Sequence, residues 1–97
     1  MTIAATRFEE FEVEARAQGF DEVVERRWAP GTIIDVHAHP FAHRAVVVEG
    51  EMWLTSGGES RHLKQGDELA LEQGVSHAER YGPEGATCWV ARRTAKL

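Results

Sequence analysis

Four of the five histidines fall in two short clusters, His37-Ala38-His39-Pro40-Phe41-Ala42-His43 and Gly74-Val75-Ser76-His77. Neutral imidazole is the commonest protein ligand for transition metals, so converging histidines read as a metal site. Strands would make them converge. Side chains alternate faces along a strand, so His37 and His39 point the same way. Pro40 cannot donate to a sheet ladder, and it ends or bends that strand. His43 opens the next strand, and Ala45 and Val47 share its inward face as a small apolar lining. Two hairpins and a loop separate His43 from His77, an even number of reversals that returns the chain to the same end. His77 then faces inward, with Glu79 and Tyr81 on its side of the strand.

Those neighbours set the chemistry. A carboxylate beside a metal can act as a base when it reaches the substrate, which makes Glu79 and Tyr81 the candidate catalytic pair. The competing expectation is a surface Glu79 and a packed Tyr81. Asp35 shares the nominal face of His37, where it either orients an imidazole or is solvated at the rim. By parity Met52 and Leu54 line the interior and Trp53 faces away. Trp28 and Trp89 are expected as core or dimer contacts, and His62 as a surface strand residue. The proposed shell contains neither thiolate nor carboxylate, since Cys88 lies outside both clusters, which disfavours magnesium and calcium. One divalent first-row ion is expected: Fe, Mn, Ni, Cu or Zn. The glycines lack the spacing of a phosphate-binding loop, and Ser56, Ser60 and Ser76 lack a nucleophile-elbow context.

The elements that must hold these residues are short. Thr6 and Glu9 match a capping box, with Thr6 as N-cap. Phe8, Phe11 and Ala15 recur at helical spacing, and Gly19 is a C-terminal stop, which predicts a helix over about 7–18. That helix would cap a barrel end or cover a sheet edge. From about residue 22 to 93, β-prone runs alternate with turn residues. They are 23–28, 32–37, 43–48, 52–55, 60–64, 68–71, 77–81 and 86–93, with Glu49-Gly50 and Gly82-Pro83 read as turns. About eight strands so punctuated predict an all-β, antiparallel sandwich or barrel in a single domain over 1–97.

Composition narrows the partners. A net charge of −5 argues against nucleic acid, whose phosphates need a basic surface. The longest apolar runs are a few residues, too short to span a membrane, and the N-terminus shows no signal-peptide pattern. A single cysteine excludes an internal disulfide and fits a cytoplasmic location.

The two clusters sit in longer patterns that resemble the cupin motifs. Gly31, His37, His39, His43 and Gly50 match every spacing of the first motif, with His43 where the family usually has Glu. Gly66, Glu72, Gly74, His77 and Tyr81 match the second, with Glu72 for the usual Pro and Tyr81 for the usual Asn. The match covers residues 31–81, about half of the chain. The resemblance implies a jelly-roll barrel, a divalent metal held by His37, His39, His43 and His77, a small-molecule ligand inside the barrel, and a homodimer. Four imidazoles form a neutral shell, so a bound ion would keep more positive charge and attract an anionic or chelating ligand. Activities that depend on the usual glutamate do not carry over. All-histidine cupins, in which oxygenase chemistry is known, are more similar. The expectation is a metal-dependent dioxygenase acting on a small chelating or anionic substrate. The alternatives are a metal-dependent isomerase or lyase, and a non-catalytic module that senses a small ligand or metal.

Overall fold

The computed structural model describes residues 7–94. Helix α1 (Phe8–Ala17) forms where helical spacing predicts one. Thr6, the expected N-cap, lies outside the described residues. Arg7 holds the cap position in extended conformation, and its backbone N–H donates to Glu10 Oε1 at 3.1 Å. The acid that reaches back is therefore Glu10, because the helix starts one residue later than Thr6 and Glu9 would place it.

Among the described residues six strands follow: β1 (Glu22–Trp28), β2 (Ile33–His37), β3 (Phe41–Ser56), β4 (Glu59–Lys64), β5 (Glu68–Leu71) and β6 (His77–Thr94). Eight expected runs become six because neither Glu49-Gly50 nor Gly82-Pro83 is a turn. Both lie inside long strands. In β3 the pairing register slips between Val47 and Glu49 and again between Gly50 and Met52. Such bulges bend a strand without ending it. Gly50 makes the bend possible. Its φ of +77° favours glycine, and a Cβ there would lie 2.2 Å from the Gly85 carbonyl oxygen. Gly85 in turn has no room for a Cβ, which would meet the Trp28 carbonyl oxygen at 2.3 Å. Three chain segments thus cross at one corner.

Every strand pairing is antiparallel, and the main path runs β1-β6-β3-β4, with β2 added to β6 and β5 to β3. The first part of β6 pairs with β2 and the later part of β3; the rest pairs with β1 and the earlier part of β3. Two long bent strands therefore serve both walls of a jelly-roll barrel.

Alternation sorts the side chains. Ala45, Val47, Met52, Leu54, Cys88 and Val90 turn inward and form the barrel core. Val46, Trp89 and Ala91 turn outward, onto Phe11 and Ala15 of α1. The helix therefore lies across the outer face of the sheet, instead of capping an end or an edge. Arg44 ties it down: its guanidinium lies 2.8 Å from Glu14 and 3.2 Å from Glu68, and over the Phe11 ring.

Candidate metal centre

The pairing register brings the clusters together. His37 on β2 stands directly opposite His77 on β6, so both side chains leave the sheet on one face. Two residues past β2, His39 places its Nε2 3.2 Å from His37 Nε2. Phe41 stacks on the His39 ring, with centroids 4.7 Å apart. One ring nitrogen from each of His37, His39 and His77 lies within 4.8 Å of the other two.

Backbone carbonyls set the tautomers. His37 Nδ1 lies 2.8 Å from the Asp35 carbonyl oxygen, and His77 Nδ1 lies 3.0 Å from that of Val75. A carbonyl only accepts, so each Nδ1 carries the hydrogen and donates it. In the neutral rings Nε2 is then a bare lone pair, the state that ligates metal. The backbone of Asp35 does this orienting; its side chain is on an exposed residue.

Glu79 meets these lone pairs. Its Oε2 lies 3.2 Å from His77 Nε2 and 3.7 Å from His37 Nε2. Tyr81, buried and stacked on Trp28 at 4.7 Å, donates its hydroxyl hydrogen to Glu79 Oε1. His77 Nε2 is buried and forms no aligned hydrogen bond. A bare imidazole nitrogen facing a carboxylate oxygen is repulsive until a proton or a metal cation stands between them. The donor set and this orphaned nitrogen fit a transition-metal ion.

His43 faces inward, as its alternation with Ala45 and Val47 requires. Its ring centroid lies 5.4 Å from His39 and 5.5 Å from His77, adjacent to the three-nitrogen cluster and outside it. Its Nδ1 is buried without a hydrogen-bond partner. Burial, then the neighbouring imidazoles His39 and His77, push its pKa down to about 4. His39 is also lowered, by burial and then by His37 and His77. Neutral, ligand-ready rings are favoured at both positions.

The cluster opens onto a cavity of about 280 Å³. Met52, Leu54, Leu69 and Val90 supply apolar wall, with Trp53 facing away against His62, as expected by parity. His62 is a surface strand residue, 2.6 Å from Glu51 Oε1. Sequence reasoning missed several lining residues. Trp28 packs against the barrel core, as expected, and also stands in the cavity wall, which was not expected; Trp89 is a core contact under the helix. Arg26, Cys88 and Arg92 also line the cavity. Inward parity with Trp28 was the available signal for Arg26, but neither motif reaches β1. Burial, then Glu79, pushes the Cys88 thiol up to about 12, and burial with the Glu79 hydrogen bond holds Tyr81 protonated well above the usual phenol range.

Comparison with protein families matches the cupin domain model over residues 24–89. The chain belongs to the cupin family. Solved structures agree with the fold. This cupin is 27% identical to an RmlC-like cupin from Shewanella frigidimarina, with a TM-score of 0.67 over 76% of this chain and 66% of that one. KdgF from a Halomonas species is 20% identical, with a TM-score of 0.64 over 76% of this chain and 69% of that one. A DMSP lyase structure is 22% identical, with a TM-score of 0.69 over 77% of this chain but 39% of that one. Comparison with the curated proteins finds no match. Among the described residues no helix is long and apolar enough to cross a membrane.

Proposed function

We propose that this cupin is a metal-dependent enzyme that holds one divalent transition ion through His37, His39 and His77 and acts on a small chelating or anionic substrate. The observation that carries this reading is the convergence of three imidazole nitrogens, two with their Nδ1 hydrogens tied to carbonyls, beside a mainly apolar cavity. His43 and Glu79 are the further donors beside the cluster. With Glu79 included, the shell regains the negative charge that an all-histidine set lacks. Histidine and carboxylate donors together suit iron or manganese as well as zinc.

A bound ion would polarise a substrate oxygen and, if redox-active, support dioxygen chemistry. The chain's own residues do the rest. Met52, Leu54, Leu69 and Val90 restrict water at the reacting end. Tyr81 keeps its proton and directs it at Glu79 Oε1, which leaves Oε2 facing the histidines. A dioxygenase is the reading retained from the histidine-rich site. An isomerase or lyase is the second reading, favoured by the Glu79–Tyr81 pair, which can accept and return a substrate proton.

Elemental analysis of protein purified without added metal tests the shared premise, with near one ion per chain expected. The double variant H39A/H77A should lose it; full occupancy in that variant would sink the assignment. Oxygen uptake by the iron-loaded protein across diketones, phenols and thiols then separates the readings. Exchange of a substrate proton with deuterated solvent, without oxygen uptake, selects the isomerase or lyase.

A further inference from the structure

Arg26 is an arginine on the inner side of a barrel wall. It alternates along β1 with Val24 and Trp28, both packed against the barrel core, and its strand partner is Cys88. It lines the same cavity as His37, His39 and Glu79 while keeping an exposed side. Its guanidinium carbon lies 5.0 Å from the Trp28 ring centroid, and Trp28 itself is stacked on Tyr81 with an interplanar angle of 5°. The arginine thus stands on an aromatic platform that restrains it before any ligand arrives.

Its charge is unmatched. Among the described residues two arginines line the cavity. Arg92 is paired with Glu22 at 3.2 Å and lies over Phe41. Arg26 forms no ion pair with any described carboxylate. Glu79, the carboxylate of the cavity, is engaged by Tyr81 and faces the histidines.

We propose that Arg26 anchors the carboxylate of a small organic acid, whose other end carries an oxygen donor that reaches the histidine cluster. The proposal deepens the metal-enzyme reading by naming its substrate class, and only the far end of the substrate rests on that reading. The planar guanidinium fork matches a carboxylate through two parallel hydrogen bonds. Met52, Leu54 and Val90 supply apolar wall to the same cavity, which suits a short hydrocarbon body. A cavity of about 280 Å³ suits a small organic acid.

The test is calorimetric binding of levulinate, 4-hydroxybutyrate, 4-hydroxybenzoate and 4-hydroxyphenylacetate to the full chain, each beside its neutral amide, with metal content measured on the same preparations. At least one acid should bind and its amide should bind far more weakly. Arg26→Gln should weaken that acid about tenfold to hundredfold, the worth of hydrogen bonds to a charged group, while leaving metal content unchanged. Arg26→Lys, a point charge without the fork, should recover part of the loss. Equal binding of acid and amide, unchanged binding in Arg26→Gln, or no binding of any acid at millimolar concentration overturns the proposal. Inorganic phosphate competing as well as the acid overturns the carboxylate assignment. Arg26-dependent acid binding by a protein that holds no metal removes the metal reading and leaves the anchor standing.

Discussion

Glu79 Oε2 lies 3.2 Å from His77 Nε2 because the two residues share one face of β6 and Tyr81, next on that face, holds the other carboxylate oxygen. One strand thus carries an imidazole, a carboxylate and the hydroxyl that orients it. Sequence reasoning placed the fourth donor on His43 and the catalytic carboxylate on Glu79. The geometry puts Glu79 against two of the three clustered imidazole nitrogens and His43 at their side.

This relationship separates two metal shells. If the carboxylate is a ligand, Glu79→Gln should weaken metal binding by at least about tenfold, and Tyr81→Phe by about tenfold through loss of orientation. His43→Ala should cost less. Competition against chelators of graded affinity measures all three. Wild-type affinity in Glu79→Gln beside a large loss in His43→Ala would restore the all-histidine shell.

Acid should destabilise the metal-free protein through His43. Its pKa falls from 6.5 in the unfolded chain to about 4 when folded, where burial acts first and His39, His77 and Arg92 add to it against Glu79. Between those values the unfolded chain binds a proton that the folded chain does not. Stability therefore falls as pH drops through that window, and the His43 contribution levels off below about 4. A drop from 6.5 to about 4 would cost about 3 kcal/mol for a fully buried ring, and solvent screening of this half-buried ring brings it to about 1–2 kcal/mol. Urea denaturation with a chelator present, at a series of pH values, should show a flatter profile in His43→Gln. An identical slope in that variant would assign the acid sensitivity elsewhere.

The barrel corner should tolerate no side chain at Gly50. A Cβ would press to 2.2 Å from the Gly85 carbonyl oxygen, at a φ that L residues rarely adopt. Gly50→Ala is expected to cost about 3 kcal/mol or more, since neither backbone can withdraw without breaking the β3–β6 pairing. Denaturant midpoints provide the comparison, and a loss within about 0.5 kcal/mol would contradict the close crossing.

The helix and the site should separate in the same way. Phe11 is 1% exposed and packs between α1 and the outer face of the sheet, away from the cavity. Phe11→Ala should cost about 3–5 kcal/mol of stability. Metal stoichiometry of the folded fraction should stay at the wild-type value. Loss of metal from protein that remains folded would show that the helix supports the centre.

Much of the site was legible because strand alternation is a local rule. The period of two puts His37 with His39, and His77 with Glu79 and Tyr81, before any partner strand is known. The same rule predicted Met52 and Leu54 inside and Trp53 outside. It failed at Glu49-Gly50 and Gly82-Pro83, where turn-forming residues serve as bends within continuous strands. A glycine reports that the backbone needs freedom, and only the neighbouring chain decides whether the chain reverses or bulges there.

By itself the sequence determined which residues could act, through residue type, parity and the two motif spacings. The tertiary structure decided which of them meet. The pairing of β2 with β6 sets His37 opposite His77, and carbonyls of Asp35 and Val75 turn their Nε2 lone pairs inward. Wrapping β1 against β6 brings Arg26 and Trp28, which lie outside both motifs' ligand positions, onto the same cavity. Such placements depend on contacts between distant segments. No local pattern of charge or hydropathy encodes them one residue at a time.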